Sequence, residues 1–439
     1  MARRTDHHDH RLSQDALRGH IPALDGLRGV AILLVLLFHC TDMTASGVLD
    51  NAVATTFRWG AYGVDLFFVL SGFLITGILA DARGKPGFFS SFYMRRVLRI
   101  FPLYYLIVAF SFLVLPNLGT VLAGAPGVSG STAELVQSKI DRFGQVSGDE
   151  WYYWLYLSNF VVAKADTFRH GILDVSWSLS IEEQFYVAWP LLLFFLGALR
   201  MRWVCLALLI IAPLFRVWLL GRSVDPLFGG EPTLIDALMY TPGRLEGIAL
   251  GALLALHLRA GSGRFDPEKR LRSLAPLCKV AAPTLLVASL LVEWGRFTGA
   301  ADPLDATYNG VVFGVSLVAY GFCALFVLAL LAKPGSRWYR LWTWAPLRSF
   351  GKYSYAIYLL HLPIRAVIRD LVYGPNFNGE RFGDALVTFP TVMGSELPGQ
   401  LLFYIPAFGA CWLAGWLSWH CFEKHVLKLK RFFPYGKRS

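Results

Sequence analysis

Arg28 and His39 stand eleven residues apart in an otherwise apolar run, LDGLRGVAILLVLLFH. At about 100° per residue this spacing is three turns plus roughly 20°, so both side chains leave one helix face, about 16 Å apart along the axis. Asp25 lies three residues before Arg28, where it can orient the guanidinium. Ionisable groups in a run this apolar are costly to bury, which makes them the first candidates for chemistry. A histidine alone there can be a satisfied interior residue; its alignment with Arg28 and Asp25 favours a functional one.

A second charged motif is VSWSLSIEEQFY, with Glu182 and Glu183 in sequence. Ser178, Glu182 and Tyr186 follow i,i+4 spacing and share a face, whereas Glu183 points about 100° away. In RRVLRIFP, Arg96 and Arg99 lie one turn apart and serve either as a membrane anchor or as a phosphate clamp, since guanidinium groups bind phosphate bidentately. GKYSYAIYLLHLP aligns Ser354, Tyr358 and His361 as a polar stripe that lines a cavity or hydrogen-bonds between helices. TPGRLEGIALG places Arg244 and Glu246 near the outer end of an apolar run, where an acceptor can arrive. Ser71, Gly72 and Gly77, in DLFFVLSGFLITG, are small enough to mean close helix packing.

The elements that must position these groups are membrane spans. Hydrophobic residues make up 55% of 439 positions and charged residues 16%, and the mean hydropathy of +0.48 excludes a soluble globular chain. The net charge of +11 sits in short clusters between apolar runs, as expected of loops facing anionic lipid and not of a nucleic-acid binder. Runs of about 20 residues, the length a bilayer requires, lie near 21–43, 60–80, 97–115, 177–199, 201–220, 241–258, 274–294, 309–332, 350–372 and 399–423. With a cytoplasmic N-terminus, these ten spans put 27 Lys and Arg residues on inward segments against 8 on outward ones. Counting 151–163 as a further span would invert every later loop against the positive-inside rule, so that aromatic-rich segment is expected to be interfacial or re-entrant. The expected fold is therefore all-α and integral to the membrane, with ten transmembrane helices from 21 to 423. Both tails, 1–20 and 424–439, are expected to be cytoplasmic, with no cleavable signal peptide and no soluble domain after the last span. The outward loop at about 116–176 is long enough to cover a mouth. Six isolated cysteines and the DHHDH stretch at Asp6–His10 imply neither a disulfide framework nor a metal site.

Taken together, LDGLRGVAILLVLLFH, GVDLFFVLSGFLITG, FYMRRVLRIFPLYY, WSLSIEEQFY, RLEGIALGALLA and GKYSYAIYLLHLP resemble, in order, the motifs of the acyltransferase-three family of membrane O-acyltransferases. The resemblance covers about 20–425. It implies a cytoplasmic acyl-CoA donor, acetyl-CoA above all, and an acceptor hydroxyl on a surface polysaccharide, peptidoglycan, lipopolysaccharide or macrolide, at the bacterial inner membrane. It implies that His39 is the essential histidine, Arg28 its arginine partner and Glu182 the characteristic acid. An SGNH esterase-like domain follows the core in many members and is not seen in this sequence.

Spacing and resemblance together suggest that the nucleotide phosphates rest near Arg96 and Arg99. The pantetheine arm then passes Arg28, Ser354 and Tyr358, with Arg244, Glu246 and His361 toward the acceptor. His39, oriented by Glu182 at similar depth, is expected to take the acceptor's proton; an acyl-histidine intermediate is an open alternative. The competing reading is a transporter of a polar or lipid-linked substrate, against which stands the lack of inverted halves or paired broken spans.

Overall fold

The computed structural model describes residues 21–43, 47–117, 147–168, 170–259, 266–298, 308–373 and 391–436. The His-rich N-terminal stretch and 118–146 of the long loop lie outside the described residues. Among the described residues every extended element is a helix, and the only bridge pairing joins Val392 to Ser395. In hydrocarbon a segment must satisfy its own backbone groups, and helices do so within themselves.

The helices that frame the site are α1 (Pro22–Cys40), α2 (Val48–Arg58), α3 (Gly63–Ala82) and α4 (Phe88–Ala109). Two short pieces follow, α5 (Glu150–Trp154) and α6 (Ser158–Ala165), then the 45-residue α7 (Ser176–Leu220). The set closes with α8 (Glu246–Leu258), α9 (Pro267–Thr298), α10 (Val315–Leu330), α11 (Ala345–Tyr373) and α12 (Leu397–Ser418). Seven helices among the described residues are long and apolar enough to cross a membrane. One of them is α7, which spans the fourth and fifth expected runs as one element broken at Gly197, where φ of +73° interrupts the helical path. The sixth expected run forms α8, only 13 residues long, after a 3₁₀ turn at Thr241–Arg244. The ninth forms α11, which is long enough, but with Arg348, Lys352 and Arg365 it is too polar to stand among the seven.

Close approach is written into glycines. A Cβ on Gly72 would run into the carbonyl of Ile248, and one on Gly251 into that of Val69, so α3 and α8 cross backbone to backbone. Gly29 against Leu347 and Gly351 against Asp25 do the same for α1 and α11. These contacts put His39 of α1 beside the polar stripe of α11. The segment at 151–163 forms α5 and α6, of 5 and 8 residues, and does not cross. Tyr104 and Tyr105 of α4 donate to the carbonyls of Tyr153 and Trp154, and Ser158 meets Ser180 of α7 at 2.8 Å, which ties the segment to the bundle.

Candidate active site

Glu182 projects from α7 two turns after the helix starts, and both of its oxygens are engaged. Ser71 of α3 donates to one at 3.0 Å, and Tyr186, one turn along α7, donates to the other at 2.9 Å. The Ser178–Glu182–Tyr186 face expected from i,i+4 spacing is thus the face turned inward, while Glu183 is buried elsewhere. Around this carboxylate lies a cavity of about 110 Å³, walled by α1, α3, α4, α7 and α11. Arg28, Arg96 and Arg99 line one part of it, and Ser178, Ser354 and Tyr358 another.

The three arginines differ in what holds them. Arg28 reaches Asp25 at 3.4 Å, as the i,i+3 spacing predicted. Among the described residues Arg96 and Arg99 make no hydrogen bond or ion pair, and Arg96 instead lies 5.8 Å from the ring centre of Tyr186. Both guanidiniums are thus without a direct ion pair, Arg96 feeling Glu182 and Glu183 and Arg99 feeling Glu423 only through space, which leaves their donors open to an anionic ligand. Lys430, unremarked in the sequence beyond its place in a basic tail, adds to this charge and interacts electrostatically with Arg95, Arg96 and Arg99. Its segment is strapped to the start of α4, where Ser91 donates to the carbonyl of Pro434 at 2.8 Å and Arg95 to that of Phe433 at 3.2 Å. No helical period links residue 430 to residue 96, so only this packing reveals the proximity.

His39 does not meet Glu182. Their similar depth led to the expectation of contact, but depth leaves open the angle at which α1 and α7 present their faces. The ring of His39 lies instead 4.9 Å, centre to centre, from that of His361 on α11. His361 is fully buried, with Nδ1 at 2.7 Å from the carbonyl of Tyr358. Tyr358 bridges the two regions: it lines the cavity, donates to the carbonyl of Val175 at 3.1 Å and touches Ser178 at 2.6 Å. The cavity therefore leads from the arginines past Glu182 and Ser354 to Tyr358, with the histidine pair beyond.

Arg244 and Glu246 lie away from this cavity. Arg244 pairs with Asp65 at 3.2 Å, and Glu246 with Arg216 at 2.7 Å. Arg216 is fully buried and also donates to the carbonyls of Gly243 and Val312 and to Ser316. Two such pairs lock α3, α7, α8 and the start of α10 together, so the geometry gives Arg244 and Glu246 a structural setting and not an open surface for an acceptor. Arg216 and Asp65 went unsingled in the sequence, although a lone arginine in LLIIAPLFRVWLL is itself the signal of an interior partner. Arg365 likewise pairs with Asp42, close to the histidines. Among the described residues no His, Cys, Asp and Glu group could hold a metal ion.

A family model described as an acyltransferase domain matches residues 21–416. A Bacillus subtilis protein, provisionally named a peptidoglycan O-acetyltransferase, is 31% identical over 79% of this chain and 48% of its own length. The O-acetyltransferase OatA of Staphylococcus aureus is 27% identical over 79% of this chain and 50% of its own. The peptidoglycan O-acetyltransferase OatA of Listeria monocytogenes is 28% identical over the same shares. The chain thus spans about half the length of the curated relatives it matches. No solved structure matches it.

Proposed function

The chain belongs to the acyltransferase-three family of multi-pass membrane proteins, and from that premise we propose that it transfers an acetyl group from acetyl-CoA to a hydroxyl of a glycan, with peptidoglycan the first acceptor to test. The observation that carries this reading is the cavity with Arg96 and Arg99, neither in a direct ion pair, at one part and Tyr358, next to the histidine pair, at the other. An elongated donor with an anionic head and a reactive thioester tail fits such a polarity. The direct test is purified protein with radiolabelled acetyl-CoA and peptidoglycan fragments, in which label should move to the glycan. Release of no CoA with any acceptor or water would favour the transporter reading.

The orientation follows from the charge distribution. With ten spans, α7 counted as two, and both ends of the chain cytoplasmic, the arginine part of the cavity faces the cytoplasm where acyl-CoA is made. The histidines then lie toward the outer half, where a surface glycan is reached. A cysteine placed at Gly335, between α10 and α11, should resist a membrane-impermeant thiol reagent in intact cells and react after permeabilisation. One at Gly127, outside the described residues, should react in intact cells. Labelling in the opposite sense would sink the ten-span orientation.

Arg96 and Arg99, joined by Lys430, would hold the nucleotide phosphates as charge-assisted hydrogen bonds, each contributing about 1.5–3 kcal/mol. Replacing both arginines with Ala should raise the KM for acetyl-CoA by about 10²-fold. The rise should be much smaller for an acetyl-pantetheine donor that lacks those phosphates. Equal losses for both donors would mean that the arginines anchor α4 and do not bind phosphate.

A further inference from the structure

His361 has one nitrogen occupied and one idle. A carbonyl can only accept, so the 2.7 Å contact with Tyr358 requires the proton on Nδ1, which leaves Nε2 as a bare lone pair. That Nε2 is buried and has no hydrogen-bond partner among the described residues. Buried acceptors are normally satisfied, and one that is not is a place where the structure waits for a donor. The nearest ring able to donate is His39, 4.9 Å away between centres and tilted by 52°. Other charges near the pair are already committed, because Asp42, three residues beyond His39, is paired with Arg365. Glu182 is held by Ser71 and Tyr186. Neither carboxylate is placed to orient the His39 imidazole.

We infer that His361 is the positioning residue of His39: its Nε2, not hydrogen-bonded to His39 in this structure, takes up the His39 N–H when the substrates are bound and so fixes which nitrogen of His39 faces the acceptor hydroxyl. This rests on the proposed acetyl transfer. In the step, the acceptor oxygen bonds to the thioester carbonyl carbon and its proton passes to the free nitrogen of His39. The carbon–sulfur bond then breaks, and the departing thiolate takes that proton to leave as CoA thiol. His361 stays neutral throughout and stabilises the transient imidazolium through its lone pair, the place a carboxylate fills in a serine-hydrolase triad. A neutral partner suits this depth, where an added carboxylate would be costly to bury.

The experiment is a double-mutant cycle on the full chain, with acetyl-CoA and a glycan acceptor and with thermal stability measured alongside. His361→Leu should lower kcat about 10- to 100-fold with little change in the KM for either substrate. Adding it to His39→Ala should cost almost nothing more, because a positioning residue has no function once the group it positions is gone. His361→Gln, which offers an amide oxygen near the position of Nε2, should recover much of the lost rate, whereas a purely packing role would be served as well by Leu. Losses that multiply in the double variant, or a raised acceptor KM at unchanged kcat, would overturn the pairing and leave His361 as an acceptor contact. Should His361→Leu not fold, His361→Ala takes its place in the cycle: multiplicative loss with His39→Ala overturns the pairing and non-additivity supports it. A wild-type protein that transfers no acetyl group overturns the acetyltransferase reading itself, an outcome distinct from active wild type with additive variants.

Discussion

His39→Ala protein is expected to fold, to bind acetyl-CoA with near wild-type affinity, and to transfer acetyl groups at least about 10²-fold more slowly, the usual scale for losing a positioned general base. Binding and turnover should separate because His39 does not line the cavity that holds the arginines, so its removal leaves the donor contacts in place. The hydroxyl nucleophile would then lack a group to take its proton as the carbon–oxygen bond forms. Glu182→Gln makes the comparison informative. It keeps the side-chain shape and one acceptor oxygen for Ser71 or Tyr186, turns the other oxygen into an amide donor, and removes a charge that interacts with Arg28 and Arg96. Its effect should fall on donor placement, read as a change in acetyl-CoA KM, and not on the proton transfer. The decisive measurements are isothermal titration with acetyl-CoA and single-turnover transfer on the same preparations. A folded His39→Ala protein that retains near wild-type transfer would remove His39 from the mechanism and direct attention to His361.

Arg216→Ala is expected to destabilise the bundle by about 3–5 kcal/mol, the range for stripping one partner from a buried ion pair. The cause is uncompensated charge. Arg216 is fully buried, its pair with Glu246 spans 2.7 Å, and Ser316 completes the ring by donating to Glu246 at 2.8 Å. Removing the guanidinium strands the carboxylate among apolar residues and frees the carbonyls of Gly243 and Val312. Thermal unfolding in detergent should show the loss, and a companion Glu246→Gln change should restore part of it by removing the stranded charge. This pair of variants also tests the sequence-based expectation that Glu246 contacts the acceptor. A Glu246→Gln protein of undiminished stability whose acceptor KM rises severalfold would support that expectation and count against the structural role.

The tertiary contacts explain why these two predictions concern different properties. Charged groups on the spans look alike in one dimension, each an expensive residue in an apolar run. Packing sorts them into those in direct ion pairs, such as Arg216 with Glu246, and those without one among the described residues, such as Arg96 and Arg99. Sites for anionic ligands arise from the second class, because a guanidinium without a direct ion pair in a cavity wall keeps its donors open to a ligand's counter-charge.

Much was legible in the amino-acid sequence because it depends on short-range rules. Hydropathy over windows of about 20 residues marked a helical membrane protein. The 100° period correctly grouped Ser178, Glu182 and Tyr186 on one face and turned Glu183 from it, and the i,i+3 rule joined Asp25 to Arg28. Six ordered motifs pointed to the family that the match over 21–416 establishes. What periodicity leaves undetermined is the partner each helix face meets, because that depends on crossing geometry between segments far apart in the chain. Glycine contacts such as Gly29 with Leu347 and Gly351 with Asp25 bring α1 against α11, which is why His39 meets His361 and not Glu182. The same cause hid Arg216's partner, thirty residues away, and the approach of Lys430 to Arg96. Local chemistry named the candidate residues, and long-range packing decided which of them act together.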